Sequence, residues 1–176
     1  MIVGDPAELD ALEHRVTSAA GEAVGRLTRL SKAPLTTLYE LKFTQFGRHP
    51  LQDRDLNLIE QINQTFTYLA SFCATRLLFD MVPDLKGVSL NLGTSSGYDI
   101  ESLEPGRVAA EVFAAVTPKN NNKLAKDVQR IAASDARHRF VFFHAPGYSQ
   151  GRRFELETIA GIEVWAIDVL VPADRP

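Results

Sequence analysis

Two carboxylates stand out by where they fall. Asp99 and Glu111 lie on consecutive stretches that read as the arms of one hairpin. Glu111 interrupts Val108 to Val116, the most apolar strand candidate in the chain. A lone carboxylate in such a run is costly to bury unless it is paired or meets a cation. Glu104-Pro105-Gly106-Arg107 puts proline and glycine at the centre of a turn, as a type II turn prefers. A turn centred there pairs Asp99 near residue 112 or 113, diagonal to Glu111. Two carboxylates converging in this way suit a hard divalent cation, which takes oxygen ligands.

The elements that must position them can be read on either side. Val88, Leu90 and Leu92 alternate with polar residues, and Tyr98 to Leu103 alternates again, so two strands precede the apolar one. After it, Asn120 to Asn122 offer an N-cap for a helix from about Lys123 to Ala133, with Leu124, Val128 and Ile131 inward. Lys123, Lys126 and Arg130 are expected outward, softened by Asp127 and Asp135, and Arg137, His138 and Arg139 come next. This is the most basic region of the chain and a place for a phosphate backbone to rest. Arg139 to His144 reads as a central strand covered on both faces. Ala145 to Arg153 reads as a loop, Phe154 to Ala160 as a short helix, and Ile162 to Val171 as the last strand.

Upstream, Asp5-Pro6 opens an amphipathic helix that runs to about Ser31. Thr36 to Phe46 is ambiguous between strand and helix; its Glu40-Leu41-Lys42 triplet reads as surface charge. Asp53 or Asp55 is expected to cap a second long helix with an apolar stripe of Leu56, Ile59, Ile62, Phe66, Leu69, Cys73 and Leu77. Glu60, Asn63 and Thr67 form a second stripe, suited to a half-buried polar network. The whole is α/β, a mixed central sheet flanked by helices, in one domain of 176 residues with a helical extension over 1–50 and a core over 51–171.

Asp99, eleven intervening residues, then Glu111-Val112-Phe113 and a helix after them resemble the core of the PD-(D/E)xK nuclease superfamily, over roughly residues 55 to 168. The resemblance implies the restriction-endonuclease-like fold, Mg²⁺ (or Mn²⁺) at Asp99 and Glu111, and hydrolysis of DNA phosphodiester bonds. It also implies a further acid from an early helix, for which Glu60 is the match. Where the family carries its lysine this chain has Phe113, so the amine falls to Lys119 or Lys123, whose long stems can reach back. The alternative is that the fold is kept and catalysis lost, leaving a module for binding nucleic acid or protein; Phe113 is its support. Two-site cleavage of DNA would favour a homodimer.

Other chemistries find less support. Gly93-Thr94-Ser95-Ser96-Gly97 matches the nucleophile-elbow pattern, but that motif needs a helix directly after it, and a strand is expected here. His144 also precedes Asp168, the reverse of the expected acid-then-histidine order. The four histidines are scattered, and there is no CxxC, GxxxxGK[ST] or GxGxxG. A net charge of −3 argues against a nonspecific coat for nucleic acid, though not against a local basic groove. With 45% apolar residues, no long apolar run, no basic leader and a single cysteine, the sequence is that expected of a cytoplasmic globular protein with no membrane span.

Overall fold

The computed structural model describes residues 1–30, 32–93 and 96–170. Among them the chain forms, in order, β1 (Ile2–Val3), α1 (Glu8–Leu27), α2 (Pro34–Phe43), β2 (Gly47–Arg48), β3 (Asp55–Leu56), α3 (Leu58–Met81), β4 (Val88–Leu90), β5 (Ile100–Ser102), β6 (Val108–Ala114), α4 (Lys123–Ala132), β7 (His138–His144), β8 (Gly151–Arg152) and β9 (Ile162–Ala166). Two compact units divide it: Leu9–Leu69, and Met1–Glu8 together with the residues from Ala70 onward. The sequence suggests one domain with an extension up to residue 50; by compactness the chain parts inside α3. No helix among the described residues is long and apolar enough to cross a membrane.

The larger unit is mixed α/β, built on a seven-stranded sheet in the order β1-β4-β5-β6-β7-β9-β8. β4, β5 and β6 form an antiparallel meander. β6, β7 and β9 then run parallel, and β8 closes the edge antiparallel to β9. The residues expected to form a loop before Arg153 thus contribute an edge strand, because Arg152 pairs opposite Trp165 and its guanidinium holds Glu157 at 2.7 Å. The expected helix over Phe154 to Ala160 is only a 3₁₀ turn, Phe154–Leu156. The last strand ends at Ala166 within the described residues; Val171 lies outside them.

The parallel crossover explains why α4 exists where it does. Strands running the same way need a long connection, and a helix packed on the sheet supplies it. Leu124, Val128 and Ile131 recur at helical spacing and bury against Ala109 and Phe113 of β6, Val141 and Phe143 of β7, and Val164 and Ala166 of β9. Phe113 and Phe143 stack with centroids 5.9 Å apart. Each leucine, isoleucine, valine or phenylalanine among them, taken from water, contributes about 1.5–3 kcal/mol before entropy is counted, so this layer is a main source of the unit's stability. Asn122, the residue before α4, takes a left-handed conformation and makes no side-chain cap; asparagine tolerates that region better than most residues.

The Leu9–Leu69 unit departs further from expectation. Thr36 to Phe46 resolves largely as helix, since Pro34 starts α2 at its first turn. Asp53 and Asp55 do not cap α3. Asp55 pairs with Arg48 across the β2–β3 ribbon. Asn57 is the cap: its side-chain oxygen accepts the Glu60 amide at 2.9 Å, and the Glu60 carboxylate accepts the Asn57 amide at 3.1 Å, a reciprocal capping box. The expected apolar stripe is also rotated. Ile59, Ile62 and Phe66 are exposed, while Gln61, Thr65 and Tyr68 are buried. The reason is the ribbon, which offers polar partners: Tyr68 meets His49 at 3.0 Å, and Gly47 lies so close to Gln61 that a Cβ there would collide with its side chain.

Candidate functional site

Asp99 and Glu111 come together, in a register different from the expected one. Ile100 pairs with Ala110 and Glu101 with Ala109, and the same register carried one residue further sets Asp99 opposite Glu111. The shift by one or two residues comes from the five-residue connection Leu103–Arg107. The Ser102 hydroxyl accepts the Val108 amide at 2.9 Å in place of a ladder bond. Residues directly opposite in an antiparallel pair share a face, so the two carboxylates point to the same side. The Asp99 carboxylate is tied down there by the Val112 amide, at 2.8 Å.

That side is the one α4 covers. Glu111 alternates with Ala109 and Phe113, the two β6 residues packed beneath the helix. It is fully buried. One of its oxygens, Oε2, accepts a hydrogen bond from Arg130 at 3.1 Å; the other, Oε1, has no partner. Asp127 repeats the pattern: it is 3% exposed, its Oδ1 accepts from Lys123 Nζ at 2.6 Å, and its Oδ2 has no partner. Lys123, Asp127 and Arg130 fall on one face of α4, at helical spacings of four and three.

The electrostatics reflect this crowding. Burial, then the neighbouring Asp99 and Asp127 carboxylates, push Glu111 up to about 8, against the pull of Arg130 and Lys123. Burial also pushes Asp127 up, against its bond to Lys123. Arg130 is anchored further by the Gly97 carbonyl and by the Tyr98 ring, 5.7 Å from its guanidinium carbon. The Lys123 ammonium sits 5.8 Å from the centre of the Phe113 ring.

Several expectations are thereby placed. Lys123 and Arg130 do not simply face solvent; they meet acids, while Lys126 and Lys119 are exposed. Glu60 is at the N-terminus of α3, in the Leu9–Leu69 unit, with its carboxylate engaged in the capping box. Asp127 and Arg130 are the residues whose place at the site sequence reasoning misses. The signal for Asp127 is available, because Leu124, Asp127, Val128 and Ile131 form one unbroken inward stripe.

As donors, Asp99, Glu111 and Asp127 suit a hard cation, and the two orphaned, buried carboxylate oxygens are the atoms such an ion would satisfy. In the present arrangement no three acidic, imidazole or thiol groups among the described residues share one coordination sphere. Lys123 and Arg130 supply the positive charge, each on one oxygen of an acid.

Other groups are committed elsewhere. His49 accepts the Leu51 and Gln52 amides on Nδ1, at 3.1 and 3.0 Å, and meets Tyr68 with its other nitrogen. One ring nitrogen therefore serves the β2–β3 connection and the other ties it to α3. His144 Nδ1 donates to the Ile167 carbonyl at 3.0 Å. Thr94 and Ser95 of the elbow-like stretch lie outside the described residues, and Gly97 leads into strand β5 rather than into a helix. Glu40 of the Glu-Leu-Lys triplet pairs with Lys32 at 2.6 Å. No family model, curated protein or solved structure matches the chain.

Proposed function

We propose that the chain is a metal-dependent nuclease of the PD-(D/E)xK kind, with a restriction-endonuclease-like core, acting on DNA phosphodiester bonds. The observation that carries this reading is Glu111, a fully buried carboxylate with an unpartnered oxygen, opposite Asp99 on a hairpin. Supporting it are the order of the elements, a meander leading to α4 and two parallel strands, and the placement of an amine. Lys123 reaches the Phe113 ring from the helix, so its ammonium can stand in for the lysine that Phe113 replaces.

In this reading Asp99 and Glu111 hold Mg²⁺ or Mn²⁺. When bound, the ion supplies a water of lowered pKa and offsets the charge that builds on the phosphate. The chain's own residues do the rest. The Val112 amide keeps the Asp99 carboxylate aimed. Lys123 orients the attacking water by donating a hydrogen bond. The exposed Lys126 and Arg137 contact backbone phosphates. A second copy of the chain would serve cleavage of both strands.

A second reading has its own support. Phe113 is buried and stacked on Phe143, and Arg130 already neutralises Glu111, as in a module that has kept the fold and lost the chemistry. Cleavage of plasmid and linear DNA separates the two. The nuclease reading expects nicking in Mg²⁺ or Mn²⁺ that Asp99→Ala and Glu111→Gln abolish and Lys123→Met lowers by roughly 10²-fold or more. Undiminished cleavage in excess chelator would sink it. A folded wild-type chain that cuts nothing with either cation would leave the binding-module reading standing.

A further inference from the structure

The sequence offers Glu60 as the third acid, yet its carboxylate is spent on the capping box of α3. A different acid has the right properties. Asp127 is buried, on the helix that covers Glu111, and one of its oxygens has no partner. Three carboxylates show one design. Asp99 gives an oxygen to the Val112 amide, Glu111 gives one to Arg130, and Asp127 gives one to Lys123. For Glu111 and Asp127 the second oxygen is orphaned inside the protein, where an unmet acceptor is expensive.

We propose that Asp127 is the third carboxylate of a divalent-cation site with Asp99 and Glu111, a coordination sphere the three come to share only when the Arg130 guanidinium, which holds the cation's place, gives way to the ion. This rests on the nuclease reading above and names a ligand that the resemblance does not supply. The ion is a small, hard one, Mg²⁺ or Mn²⁺, because every donor is a carboxylate oxygen. Arg130 suits the role of placeholder. Its side chain is 47% exposed although its partner Glu111 is fully buried, so it can swing to solvent without leaving a hole in the core, giving up its bond to the Gly97 carbonyl and its place against the Tyr98 ring. Lys123 plays a different part: its bond to Asp127 orients that carboxylate, as a neighbouring donor commonly does for a metal ligand.

Titration calorimetry with Mn²⁺ alone, on the full chain, tests this without any need for cleavage. Asp127→Asn is expected to weaken Mn²⁺ binding by about tenfold or more, the scale at which even the supporting groups of metal sites matter. Arg130→Gln is expected to tighten binding several-fold, since a competing positive charge is gone. Glu60→Gln, which keeps the capping box, is expected to leave affinity within about twofold. Unchanged affinity in Asp127→Asn, with wild type and the Glu111→Gln loss as expected, overturns this proposal and spares the nuclease reading. Absence of Mn²⁺ binding by wild type overturns both. Should Asp127→Asn fail to fold, Asp127→Glu, which keeps the charge but moves the carboxylate by one methylene, decides. Mn²⁺ affinity changed by about threefold or more supports the assignment, and affinity within about twofold of wild type refutes it.

Discussion

Glu111 shows how one side chain can set a protein's response to pH. Burial and two neighbouring carboxylates raise it to about 8. Between the ordinary carboxylate range and that value, the folded chain holds a proton that the unfolded chain has lost. Stability therefore falls as pH rises through this window. Asp127, shifted the same way, adds to the fall. In chelator, the melting temperature should drop between about pH 5 and pH 8.5 by at least ~2–4 °C, which corresponds to about 1 kcal/mol for a chain of this size. Glu111→Gln should flatten the profile. A wild-type curve that is level across this range would contradict the burial of an unmatched carboxyl. The same proton makes Arg130 less of a stabiliser than its ion pair suggests, because Glu111 can meet its burial cost by staying protonated.

At the scale of elements, the helices divide by what they are built for. α4 presents one apolar stripe to the sheet and, beside it, Lys123, Asp127 and Arg130 to the acids at β5 and β6. α3 begins with a cap made of two side chains. Asn57→Ala should cost about 1 kcal/mol, as loss of such a cap does, and lower the melting temperature by ~2–4 °C. An unchanged melting curve would mean that the ribbon, rather than the cap, sets where α3 starts. α2 differs from both. It buries none of its residues, and Leu35, Leu38, Tyr39 and Phe43 form an exposed stripe.

For the whole molecule, the two compact units should differ in how they open. In the larger, β6, β7 and β9 carry the fully buried side chains Ala110, Phe142, Phe143 and Val164, and native-state hydrogen exchange should find its slowest amides there. The amides of α2 should be among the fastest, because nothing in that helix is buried. The Leu9–Leu69 unit also carries an acid-sensitive joint. Burial first, then Arg54, lowers His49 below its ordinary value. The neutral imidazole accepts two backbone amides, and the stability it contributes is lost as pH falls below about 6.5. Protection of the Leu51 and Gln52 amides, corrected for intrinsic exchange, should weaken between about pH 7 and pH 5. Equal protection at both would show that the ribbon does not depend on that ring. This acid response runs opposite to that of Glu111, so amide-resolved data can separate them.

Local and periodic features were legible in the order of the amino acids alone. The meander, α4 and the central strand are legible because alternation of two and spacing of three to four report which face is apolar, whatever the rest of the chain does. The isolation of Glu111 in an apolar run is legible for the same reason. The tertiary structure alone decided what depends on partners far away in the chain. The register that sets Asp99 opposite Glu111 turns on a five-residue connection and on the Ser102 hydroxyl. The inward turn of Gln61 and Tyr68 on α3 depends on a ribbon that supplies their close contacts. Asp127 looks like a softening surface charge in the sequence because a buried carboxylate is rare unless something nearby can match it. Lys123, one turn before it, is in plain view, but that both belong at Glu111 requires the crossover that lays α4 across β6.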